Sequence, residues 1–143
     1  MTAVDAALHS EVLQFYAHQM RLLDALDLPA YAATFTADGV TRHVHRGQEL
    51  RGREALLAHA RQALPRYATV AVRHWNDHYA IAARADGVLD VRYCSLVTLT
   101  DAEGRVRIES TFTVVDELVR VGGRLHTRSR TIDRDRPAPP PDS

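Results

Sequence analysis

The chain has 143 residues, 45% of them hydrophobic and 25% charged, with a formal net charge of zero, so it lacks the basic footprint of a nucleic-acid binder. All 18 basic residues are arginine, which excludes Schiff-base chemistry, a lysine general base and a P-loop. No stretch is apolar enough to cross a bilayer or act as a signal peptide, so a cytoplasmic protein with no membrane partner is expected. The single cysteine, Cys94, excludes an internal disulfide and a thiolate metal cluster. Its apolar neighbours predict a buried, inert thiol.

Residues 5–26 predict a long helix, with Leu8, Val12, Phe15, Leu22 and Leu26 at helical spacing and the polar Gln19 inside the stripe. Gln19 therefore sits at the edge of the apolar face or points into a polar cavity. "DLPAYAATF" predicts a second helix with Pro29 in its first turn, and Arg53 to Leu64 a third, opened by Gly52 and closed by Pro65.

The period then changes from helical to alternating. "YATVAVRHWNDHYAIAA", "GVLDVRYCSLVTLT", "RVRIESTFTVVDELVRV" and "RLHTRSRTI" predict four strands joined by short glycine-bearing links, hence antiparallel neighbours. Helices followed by a meander imply an α+β fold in which N-terminal helices pack on a curved, mostly antiparallel sheet, leaving a cone with an open mouth. One domain is expected over residues 1–134, with a Pro-rich flexible tail over 135–143.

Candidate chemistry centres on "VTRHVHRGQEL", residues 40–50. On a strand Thr41, His43 and His45 share one face, and Arg42 and Val44 the other. If the first face is concave, His43 looks into the cone and His45 lies nearer the rim. An imidazole there can take and return a proton near neutral pH. "HVHRGQE" also matches the centre of a cupin's first metal motif, but the flanking glycine spacing is wrong and no second motif follows, so no metal and no cofactor are expected.

Further along, His74, Asn76 and His78 alternate with Arg73, Trp75, Asp77 and Tyr79. Trp75 and Tyr79 are better core or interface residues than His78, which argues against all three of His74, Asn76 and His78 facing inward. Tyr93 and Ser95 share one strand face, as do Ser110 and Phe112 on the next, mixed surfaces that suit an amphipathic ligand. Tyr16, Gln19, Asp24 and Tyr31 come from the helices that close the cone; Asp24 could orient a histidine, pair with an arginine or be exposed near a helix end. Arg124, His126, Arg128 and Arg130 share a face of the last strand and are expected to be mostly solvated or paired across the sheet.

The order helices-then-meander, with "LLDALDLPAYAATFTADGV", "RHWNDHYAI" and "GGRLHTRSRTIDRD", resembles SnoaL-like proteins of the nuclear transport factor 2-like superfamily over roughly residues 8–135. It is also similar to β subunits of ring-hydroxylating dioxygenases. The resemblance implies the cone fold and a family that includes polyketide cyclases, ketosteroid isomerases, dehydratases and epoxide hydrolases, besides members with no catalytic role. The aspartate base of ketosteroid isomerase falls at or next to His43 here, so this chain departs from the carboxylate pattern and offers an imidazole. SnoaL-like relatives often carry a His-x-x-x-Asn or His-x-Asn element where His74 stands. The resemblance thus implies a homodimer formed through the outer sheet face and a cofactor-independent acid/base cyclase, isomerase or dehydratase acting on a small, oxygenated, polyketide-like metabolite of bacterial secondary metabolism. His43 would carry the proton, with His74, Asp24 and Tyr93 as catalytic partners and Tyr16, Gln19, Tyr31, His45, Ser95, Ser110 and Phe112 binding substrate. A non-catalytic ligand-binding or assembly module of the same fold is the other class, and a His-ligated metal enzyme a third.

Overall fold

The computed structural model describes residues 2–142. Helix α1 (Ala6–Asp24) starts where the Asp5 carboxylate accepts from the Leu8 N–H at 2.8 Å, satisfying one of the orphan donors of a first turn. The short α2 (Leu28–Ala33) carries Pro29 in its first turn, and α3 (Arg53–Ala63) follows Gly52, whose φ of 92° suits glycine. The strands are β1 (Thr2–Ala3), β2 (Phe35–His43), β3 (Gln48–Arg51), β4 (Ala71–Ala83), β5 (Leu89–Thr100), β6 (Val106–Val121) and β7 (Arg124–Arg134).

They form one sheet in the order β1-β4-β5-β6-β7-β2-β3. All pairings are antiparallel except that of β2 with β7, which is parallel. The three helices and four long strands lie close to the sequence expectation. The β2–β3 hairpin around the Val44–Arg46 3-10 turn was not anticipated, and neither was the two-residue β1. No helix among the described residues is long and apolar enough to cross a membrane.

Four register shifts interrupt this sheet, and the three in its antiparallel pairs each insert one extra residue. Between Asp77 and Ala80, β4 advances three residues while β5 advances two; His78, at φ 59°, lies in that step. Glu109 is the extra residue of β6 opposite Val97–Thr98, and Arg128 that of β7 opposite Glu117–Leu118. An extra residue bends its strand and turns the following side chains to the other face.

The consequences correct simple alternation. His74 and Asn76 face inward as the two-residue period requires, and after the bulge Tyr79 and Ile81 are partly buried while His78 is exposed. Trp75, expected as core or interface, is 53% exposed on the outer face. Likewise the Arg128 bulge places both Thr127 and Arg130 inside, at 0% and 3% exposure, so Arg130 is not among the solvated residues of the last strand. Cys94 lies on the outer face and is exposed rather than buried.

The core sits where α1 covers the concave face: Val12 and Tyr16 pack with Leu89, Val91, Tyr93, Val114, Leu118 and Leu125. A second cluster joins Met20, Tyr31, Phe35 and Leu56, and a third Tyr67, Val72, Val97 and Leu99. Burial of these side chains contributes roughly 1.5–3 kcal/mol each. Between the second and third clusters the cone stays open. Residues 135–142 are in neither helix nor strand, yet the segment is tied to β6, since the Asp135 N–H donates to Thr111 O at 3.0 Å and Thr113 Oγ1 to Asp135 Oδ1 at 2.8 Å.

Candidate functional site

The hollow of the cone is a cavity of about 190 Å³. Its floor is Tyr31, Tyr93, Val114 and Arg130; Met20, Leu56 and Ala60 close one side, and Phe112, Ile132 and Val97 the sheet side. His43, His45, His59, His74 and Asn76 project into it, and Arg46, Arg66, Glu109 and Arg134 stand at the rim.

Beneath the floor lies a buried polar network that the sequence did not reveal. Asp116 and Arg130 face each other across β6 and β7. Arg130 Nε donates to Asp116 Oδ1 at 3.0 Å and Nη2 to Oδ2 at 2.8 Å. The same guanidinium donates to Gln19 Oε1 at 2.6 Å and to the Tyr31 hydroxyl at 3.0 Å. Tyr16 and Tyr93 donate their hydroxyls to Asp116 Oδ2 at 2.8 and 3.2 Å. Gln19 Nε2 completes the set on Thr34 and Thr127 at 2.8 and 3.0 Å.

Each buried charge thus has an opposite charge and several hydrogen bonds, the condition under which such a pair persists in a core. Burial raises the pKa of Tyr16, Tyr31 and Tyr93, so all three stay protonated. Gln19 and Tyr16, expected to bind substrate, are committed here and line none of the cavity, whereas Tyr31 and Tyr93 serve both. The helical stripe did mark Gln19; its partners could not be read without the bulge that brings Arg130 inward.

At the side of the cavity Asp24, the last residue of α1, meets His74 on β4. Asp24 Oδ1 lies 2.7 Å from His74 Nδ1, and the carboxylate also accepts from the His74 backbone N–H at 3.2 Å. Both side chains are about four-fifths buried, at 20% and 21% exposure. An anionic carboxylate against Nδ1 favours the tautomer with the proton on Nδ1, which leaves the Nε2 lone pair for a ligand. Asn76, two residues on and on the same face, has both amide atoms buried without a partner.

His43 closes β2, and the chain then turns, so His45 reaches the cavity from the 3-10 turn rather than from a strand. Val44 points out, 49% exposed. His43 packs 5.7 Å from His59 and 6.2 Å from His45, centroid to centroid. Burial, then the Arg46 charge and the neighbouring imidazoles, push its pKa down to about 4. Burial and Arg46 also lower His45 and His59. His43 Nδ1, both ring nitrogens of His45 and Thr41 Oγ1 are buried without partners. Unmatched polar atoms around a cavity are what a polar ligand would satisfy.

Ser95 and Phe112 line the cavity as expected. Ser110 does not; the bulge beside it presents Glu109, whose carboxylate accepts from Tyr67 OH at 3.1 Å while Tyr67 accepts from Arg66 at 2.7 Å. The carboxylate of the His-x-His-x-x-x-Glu pattern is engaged elsewhere: Glu49 on β3 accepts from Arg42 of β2 and from Arg51. Among the described residues no group of three His, Cys, Asp or Glu side chains is arranged to hold an ion.

The family model described as "SnoaL-like domain" matches residues 5–131. Among solved structures, Aln2 from a Streptomyces species is 41% identical, with 93% of this chain and 94% of that one covered and a TM-score of 0.89. ActVI-ORFA from Streptomyces coelicolor is 34% identical over 94% and 100%, at 0.86. A Catenulispora acidiphila protein in complex with S-DNPA is 36% identical over 91% and 95%, at 0.82. No curated protein matches the chain. With the helices packed on one curled sheet and the family match running from α1 into β7, the chain belongs to the SnoaL-like domain family and has its nuclear transport factor 2-like fold.

Proposed function

We propose that this protein is a cofactor-independent acid/base enzyme of the cytoplasm that moves a proton on a small, oxygenated, polyketide-like metabolite, in a cyclisation, isomerisation or dehydration. The 2.7 Å contact between Asp24 and His74 at the cavity wall carries this reading. Asp24 is a positioning residue: it holds the ring and the Nδ1 proton, and His74 Nε2 removes a proton from the carbon next to a substrate carbonyl. The developing enolate oxygen needs a donor in a site that excludes water, and the unpartnered Asn76 amide and the neutral His43 ring supply N–H groups there. His43 was the expected base. A pKa near 4 makes it a weak one at neutral pH, so we assign the proton to His74 and a hydrogen-bonding role to His43.

Family membership and the relatives from Streptomyces support the substrate class. A similar protein in complex with S-DNPA favours, as a second reading, a cavity that binds without conversion. Solvent-deuterium exchange into α-tetralone separates the two, since enolisation is detected by NMR whatever the natural product. Exchange above the buffer rate is expected, falling roughly 10²–10⁴-fold in His74→Ala. Binding of α-tetralone with no catalysed exchange would support the binding role instead.

We also propose a homodimer through the outer sheet face, where the exposed Trp75 and Ile108 lie on β4 and β6 with Leu96 of β5 between them in the sheet order.

A further inference from the structure

We propose that the rim between Arg46 and Arg134 is a carboxylate subsite, so that the ligand is an aromatic or polyketide-like carboxylic acid lying with its acid group at the mouth and its body toward His74. This deepens the function proposed above and rests on it for the reaction, though not for the binding.

The backbone brings the two arginines together. β2 runs parallel beside β7 with His43 opposite Ile132, so Arg46, in the turn just past β2, and Arg134, at the end of β7, emerge at the same end of the sheet. Both line the cavity and both are exposed at its edge. Neither has a carboxylate partner among the described residues. The acids nearby are engaged: Glu109 takes the Tyr67 hydroxyl, and Asp133 holds Arg136 at 3.1 Å.

His45, the residue before Arg46, lies near enough to both arginines for each charge to act on its ring. Both its ring nitrogens are buried without a partner, and burial, then the two arginine charges, holds its pKa down. A cationic rim with an unsatisfied ring donor is complementary to an anion that can take a guanidinium bond on each side.

Inward from this rim the wall is apolar: Phe112, whose ring lies 5.6 Å from His45, then Ile132 and Val114. A carboxylate anchored outside and a hydrocarbon body along this wall point the far end of the ligand toward His74 and Asn76. Remote binding of that kind orients the reacting carbon without contacting it.

Calorimetric titration with 2-naphthoate and its uncharged counterpart 2-naphthamide tests the subsite. The acid should bind about tenfold tighter, as expected for two partly exposed guanidinium contacts, and the preference should shrink with added salt. In Arg46→Gln/Arg134→Gln the preference should vanish while the amide binds within about twofold of wild type. Equal affinity for the two probes, a preference that survives the double substitution, or no saturable binding of either would overturn the subsite. His74→Ala should keep the preference. Lost exchange catalysis with retained acid selectivity, or the reverse, therefore tells the failure of one proposal from that of the other.

Discussion

Arg130 and Asp116 stand directly opposite each other on β7 and β6, joined at both ends of the carboxylate by bonds of 3.0 and 2.8 Å. Neither side chain reaches solvent, at 3% and 0% exposure. Removing one member leaves the other charge buried and unpaired, which costs about 3–5 kcal/mol. Asp116→Ala and Arg130→Ala should each lower unfolding free energy by that amount in a urea titration. Arg130→Met with Asp116→Leu should recover part of the loss, because a matched apolar pair replaces the ions. Loss below ~1 kcal/mol in both single variants would show that the network contributes little to stability.

His43 gives the fold a pH dependence of definite sign. Its folded pKa is about 4, below the ordinary value of 6.5, so between those values the unfolded chain binds more protons than the native one. Stability therefore rises with pH across that window and is lost as pH falls from about 6.5 toward 4. Denaturant midpoints should drop over this range, and His43→Gln should flatten the slope.

His78 is a non-glycine residue at φ 59°, and its bulge turns Tyr79 and Ile81 onto the core in place of His78. His78→Val should cost ~1–2 kcal/mol, since a β-branched side chain is strained in that conformation. His78→Gly should stay near wild-type stability. Equal stability of the two variants would mean that the left-handed turn is not required.

Trp75 offers a large exposed aromatic on the outer face, with its indole N–H held by Thr98 Oγ1 at 2.9 Å and Arg73 over the ring at 5.4 Å. Sedimentation equilibrium should find wild type as a dimer and Trp75→Arg shifted to monomer with unchanged circular dichroism. A wild-type monomer would rule out the dimer.

The helices and long strands were legible because apolar spacing and the Gly and Pro positions are local signals. So was the grouping of Thr41 with His43, and of His74 with Asn76, on one strand face, since each pair lies on an unbroken stretch of alternation. The burial of Arg130 beside the cavity and the place of Glu109 in its lining were not legible. Each residue lies after or within a bulge, and one inserted residue inverts the alternation on which a face is assigned. Ser110 illustrates the cost: its strand was read correctly and its place in the cavity went to its neighbour. The contact of Asp24 with His74, 50 residues apart, and the packing of His43 against His59 of α3 also lay beyond the sequence.

The tautomer of His74 and its effect on exchange test the central claim most directly. With ¹⁵N-labelled imidazole, neutral His74 is expected to carry its proton on Nδ1. Asp24→Asn should erase that preference and slow α-tetralone exchange at least roughly tenfold while the fold persists. Restoration toward wild type in Asp24→Glu would mark the carboxylate as the orienting group. A proton found on Nε2 in wild type, or exchange indifferent to both Asp24→Asn and His74→Ala, would contradict the assignment of His74 as the base.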